Sequence, residues 1–145
     1  MKVACIQLSS GENYNKNFKD IVKYINQAIT NKADLIITPE TSSLMSADKN
    51  NLFKYSYEMK HDPILKKVKI IAKTKKKWIL LGSMCIKEKS KLRNRSILIG
   101  PKGKINTYYD KINMFDVKVS KKEQHKESKV SVSYTHLTLP TSVIV

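Results

Sequence analysis

Apolar residues recur along this chain with two different periods. Residues 3–8, Val-Ala-Cys-Ile-Gln-Leu, form a short, mostly apolar run that predicts a first strand. Phe18, Ile21, Val22, Ile25, Ala28 and Ile29 then recur at helical spacing, which predicts an amphipathic helix over 14–31. Leu35, Ile36 and Ile37 make a buried strand that Thr38 and Pro39 close, because proline cannot donate to a ladder and holds the preceding residue extended. The polar stretch 41–51 reads as a loop. Asp62 and Pro63 start a second helix, whose stripe is Ile64, Leu65, Val68, Ile71 and Ala72 and whose end is Lys75, Lys76 and Lys77, where cations suit the helix dipole. Trp78 to Ser83 predicts a third strand continuing through Ile86, and residues 96–99 a fourth. A Gly-Pro-Lys-Gly-Lys turn at 100–104 then hairpins the fourth strand to a fifth over 105–109.

The order is β-α-β-α-β followed by a β-hairpin, an α/β arrangement. Its apolar strands lack clean alternation, which predicts a sheet covered on both faces. A chain of 145 residues is long enough for one domain with a real core. No apolar run approaches a membrane span, and the N-terminus reads as a strand rather than a secretion signal. Cys5 and Cys85 lie in strand-like segments without metal-ligand spacing, and both are expected to be buried thiols in a reduced, cytoplasmic protein.

The net charge of +16 raises the possibility of a small lysine-rich nucleic-acid-binding module. Only Arg93 and Arg95 among the 28 basic residues are arginine, however, and phosphate and base recognition favours the planar arginine fork. A solvated basic surface is the simpler expectation, with neither a nucleic-acid nor a membrane partner.

Two residues sit where α/β folds collect their chemistry, just past the ends of strands. Glu40 follows the second strand and Lys111 the fifth. A carboxylate after a strand is commonly a solvated loop group or a cap; a semi-buried one can serve as a general base for a thiol. Lys111 is one lysine among many, yet it stands between the aromatic pair Tyr108-Tyr109 and the apolar Ile112, Met114 and Phe115. A lysine placed there can steady a developing oxyanion.

These segments resemble the carbon–nitrogen hydrolase (nitrilase) superfamily, in particular its Nit-type amidase branch. Residues 2–8 resemble its first strand, and ADLIITPE at 33–40 its ADLIVxPE element, which delivers the catalytic glutamate. RNRSILIGPKGKI at 93–105 resembles its YNTxxxxxPxGxI hairpin, and DKINMFDV at 110–117 its RKIHLFDV element, which delivers the catalytic lysine. Glu127-Ser128 resembles the pair that carries the family's supporting glutamate. Asn113 stands in place of the usual histidine and Asp110 in place of a basic residue, which bears on substrate fit more than on reaction class.

The resemblance implies an αββα four-layer sandwich of the nitrilase type, often paired into dimers. It implies hydrolysis of a small amide or related C–N bond by Glu40, Lys111, the supporting Glu127 and a cysteine thiol, with no metal or organic cofactor. No cysteine follows Lys111, and Cys85 lies between Glu40 and Lys111, the wrong order for the family's nucleophile. Residues 1–129 are therefore expected to form the N-terminal part of such a domain, incomplete and inactive by itself. A non-catalytic member of the same fold is the alternative. The uncharged run 130–145 departs from the pattern: residues 130–135 alternate like a strand, but VSYTHLTLPT at 132–141 resembles translated sequencing-library adapter, so this tail is expected to be non-native.

Overall fold

In the computed structural model, residues 1–112 are described in full, together with the backbone of two short strands farther along. The order of elements is β1 (Val3–Cys5), α1 (Tyr14–Thr30), β2 (Leu35–Ile37), α2 (Lys49–Tyr55), α3 (Pro63–Lys75), β3 (Trp78–Glu88), β4 (Lys91–Ile99), β5 (Ile105–Asp110), β6 (Asp116–Lys118) and β7 (Gln124–Lys126). The first five strands form one sheet in sequential order, and β6 pairs with β7. β1, β2 and β3 are parallel, whereas β4 is antiparallel to β3 and β5 to β4. β5 therefore runs in the same direction as β2, and the carboxyl ends of both strands reach the same edge of the sheet.

Local chemistry explains the helices. The Asn13 side chain accepts from the Lys16 amide at 3.0 Å and starts α1. Asp62 accepts from the Leu65 amide at 2.8 Å, with Pro63 in the first turn of α3. That helix ends at Lys76 in the left-handed region, φ 51°. α2 lies across the end of the stretch read as a loop. It is one short element capped by Asp48, too brief to leave a helical period in the sequence. β3 and β4 are also longer than the apolar pattern suggests, because their distal halves carry Lys87, Glu88, Lys91, Arg93 and Arg95.

Ile21 and Ile25 of α1, Ile64, Leu65 and Val68 of α3, and Ile36, Ile79, Leu81, Ile97 and Ile99 of the sheet are fully or almost fully buried in one cluster. Crossovers stepping the same way across a sheet place their helices on one face, as here. The opposite face carries Leu35, Ile37, Leu80 and Leu98, only half-buried, beside Val3 at 45%, Trp78 at 38% and Tyr109 at 42% exposure. The expectation of cover on both faces thus holds on one side only among the described residues. Cys5 lies exposed on β1, against expectation, because among the described residues that strand pairs with β2 alone and Cys5 shares the open face with Val3.

Candidate active site

Glu40 reaches the middle of the sheet by way of a bulge. The register of β3 against β4 shifts between Leu81 and Met84, at Gly82 and Ser83. The chain leaving β2 lies on this bulge: the Thr38 amide donates to Leu80 O at 2.9 Å, the Ser83 amide to Pro39 O at 2.9 Å and the Ser42 amide to Ser83 O at 2.8 Å. A Cβ on Gly82 would approach Thr38 O to 3.3 Å, a tight contact that the absence of a side chain avoids. Thr41 has φ 50°, a conformation a β-branched residue rarely adopts, and its amide donates to Ser83 Oγ at 3.2 Å. The turn aims Glu40 across β3 toward β4.

There it meets two donors. Lys111 Nζ lies 2.8 Å from Glu40 Oε1, and Asn94 Nδ2 donates to the same oxygen at 3.0 Å. Asn94 is buried within β4, and its side-chain oxygen accepts from the Ser83 hydroxyl. Its carbonyl accepts from the Lys111 amide at 2.8 Å, which extends the β4–β5 ladder by one residue. Asn94 thus holds the carboxylate with its side chain and the lysine with its backbone. Glu40 is more open than the semi-buried carboxylate that suits a general base, as a solvated loop group would be: its side chain is 56% exposed, against 29% for Lys111. The turn lifts it onto the uncovered face. The Lys111 and Asn94 bonds both go to Oε1.

Glu40 and Lys111, which stand past strand ends in the sequence, are joined in the structure, and Asn94 is an unforeseen third member. The signal was present in the hairpin register, since Arg95 opposite Asp110 sets Asn94 opposite Lys111. Glu127 lies outside the described residues. Cys85 stands opposite Asn94 in the β3–β4 ladder, but its thiol accepts from Ser56 Oγ at 3.1 Å. Burial pushes the Cys85 thiol above its ordinary pKa, the opposite of what a nucleophile needs. Among the described residues, no group of His, Cys, Asp and Glu could hold a metal ion, and no helix is long and apolar enough to cross a membrane.

A carboxylate and an amine thus meet at the carboxyl edge of an α/β sheet. The carbon-nitrogen hydrolase family model matches residues 2–140, and the chain belongs to that family. It is 31% identical over 143 residues to deaminated glutathione amidase of Yersinia enterocolitica, covering 94% of this chain and 49% of that protein. It is 31% identical over 129 residues to nitrilase homolog 2 of Dictyostelium discoideum, covering 88% and 39%. The C. elegans NitFhit crystal structure superposes with a TM-score of 0.80 at 25% identity, over 92% of this chain and 33% of that one. Saccharomyces cerevisiae Nit3, at a TM-score of 0.74 and 20% identity over 94% and 49%, shares the fold. The chain spans half or less of the length of these curated relatives.

Proposed function

We propose that this chain carries the base and the oxyanion cation of an amidase that cleaves small amide-type C–N bonds through a thioester. The observation that carries this reading is the contact of Lys111 with Glu40, 71 residues apart in sequence and joined above the sheet edge. In this mechanism Glu40 takes the proton of a cysteine thiol, and the thiolate attacks the amide carbon. Lys111 steadies the negative oxygen of the tetrahedral intermediate. Glu40 returns the proton to the departing amine, then activates the water that cleaves the thioester. Glu127 takes the supporting role.

The thiol comes from a segment following Lys111 that these 145 residues do not include. In the complete protein a second sheet covers the open face that bears Leu80, Leu98 and Trp78, giving the four-layer sandwich. The amidase is assigned to the cytoplasm, works as a homo-oligomer and needs no metal or organic cofactor. Its substrate is a small amide, and the composition of the surface supports no nucleic-acid role: Arg93 and Arg95 are buried in ion pairs with Glu88 and Asp110, which leaves lysine to supply the surface charge. The boundary near residue 129 is part of the same proposal. The family match running on to residue 140 weighs against placing all of 130–145 outside the domain. Natural coding sequence across these codons in the source DNA, with no adapter match, would remove the idea of a foreign tail.

The test is intermediate trapping. The complete reading frame, quenched in acid during turnover of a small amide, should carry an acyl group on a cysteine beyond Lys111 by mass spectrometry, and the 145-residue chain should carry none and show negligible turnover. Acylation of Cys85, or amide hydrolysis by the 145-residue chain, would overturn the assignment.

A further inference from the structure

The face of β4 and β5 opposite Glu40 holds a cluster that the proposed reaction does not use. Arg95 and Asp110 stand directly across from each other in the β4–β5 ladder. Arg95 Nε lies 2.6 Å from Asp110 Oδ1, and Nη2 lies 2.8 Å from Oδ2, a two-pronged pairing. Both side chains are buried, at 6% and 9% exposure. The same guanidinium bonds Glu88 at 3.1 Å, touches the Met59 sulfur and lies 4.3 Å from the centroid of the Tyr108 ring. Burial alone would lower the Arg95 pKa, but Asp110 and Glu88 outweigh it and hold the guanidinium more firmly charged than usual.

This clamp lies where the sheet is least supported. β5 ends the order of the five-stranded sheet, pairs only with β4 among the described residues and exposes most of its side chains. The end of an edge strand opens more readily than the centre of a sheet. Asp110 is its last residue and Lys111 the next. Side chains alternate across a strand, so a bond that holds Asp110 on the helix-covered face sets where Lys111 emerges on the open face.

We propose that Arg95 and Asp110 are positioning residues for Lys111, their ion pair fixing the end of β5 so that the amine is held against Glu40. The importance of that position rests on the role proposed for Lys111. The pairing itself is read without turnover, so failure of the amidase assignment and failure of this inference give different results.

The experiment follows the Lys111 backbone amide by hydrogen exchange, and its side-chain ammonium by proton–nitrogen correlation, in the 145-residue chain. Asp110→Asn should speed exchange at the Lys111 amide by roughly tenfold or more, because a hydrogen bond to a charged group is worth at least the ~1.4 kcal/mol that a factor of ten represents. It should also erase the slowly exchanging ammonium signal, while the amides paired between β3 and β4 keep their protection. Asp110→Glu, which keeps the charge, should retain both signals. An Asp110→Asn variant with Lys111 as protected as in the parent would overturn the proposal. If that variant unfolds the whole sheet, Arg95→Lys decides: it keeps the charge and loses the fork. Loss of protection confined to Lys111 then supports the pair as a positioning device, and unchanged protection there contradicts it.

Discussion

The two faces of the central sheet are built from equally apolar strands and meet different fates. On one, Ile36, Ile79, Ile97 and Ile99 disappear beneath α1 and α3. On the other, Leu80 and Leu98 stay half-buried, Val3, Trp78 and Tyr109 are exposed, and Glu40 meets Lys111. The covered face is closed by helices from the same β-α-β units that supply its strands. The open face carries the polar pair and enough apolar surface to want a cover. The packed core and the Glu40–Lys111 pair thus lie on opposite sides of the same strands, and β4 shows it residue by residue: Asn94 turns to Glu40, while Arg95 turns to Asp110.

The largest contrast is expected from neighbouring truncations on β4. Ile97→Ala, on the covered face, should lower stability by about 2–5 kcal/mol in urea unfolding, the range for cavities in a packed core. Leu98→Ala, on the open face, should lower it by less than ~1.5 kcal/mol in the 145-residue chain, because few neighbours surround the lost atoms. Equal losses would erase the distinction between the faces.

A smaller effect is expected at the turn that lifts Glu40. Thr41 holds a left-handed backbone that glycine adopts without strain. Thr41→Gly should raise the unfolding midpoint by an amount corresponding to about 1 kcal/mol. A fall would mean that the Thr41 side chain contributes more than its backbone strain removes.

The smallest effect concerns pH and lies beneath the covered face. Asp62 is fully buried at the start of α3, and burial raises its pKa although the Leu65 amide and the Tyr14 hydroxyl work the other way. The unfolded chain releases this proton near pH ~3.9, whereas the folded chain keeps it to higher pH. Folding therefore takes up a proton between those two values, and stability falls as pH rises through that window. Asp62→Asn keeps the helix cap and should flatten this limb of the stability profile. An unchanged slope would show that Asp62 is not its source.

Much of the order of elements was legible in the sequence, although the open face was not. The helical stripes, Pro39 at the end of β2, Pro63 at the start of α3 and the Gly-Pro-Lys-Gly hairpin are short-range signals, and each marks an element that formed. Glu40 and Lys111 were readable through their places after strands and through the family pattern. Other features depend on which residues face one another. The exposure of Cys5 follows from its place on β1, and the Asn94 bridge and the Arg95–Asp110 pair follow from register. Hydropathy cannot separate Arg95 from a solvated strand-end charge, because its burial depends on a carboxylate 15 residues away.

The role of the open face is tested most directly by the rate of amide hydrolysis in the complete reading frame with Glu40→Gln. This change keeps the side chain's shape and a carbonyl oxygen for Asn94 and Lys111, but removes the base. A kcat lowered by about 10²–10⁴, with KM little changed, is the expected result for loss of a general acid–base group. A variant that hydrolyses the amide at the parent rate would show that Glu40 is not the base and that its contact with Lys111 is only a surface ion pair.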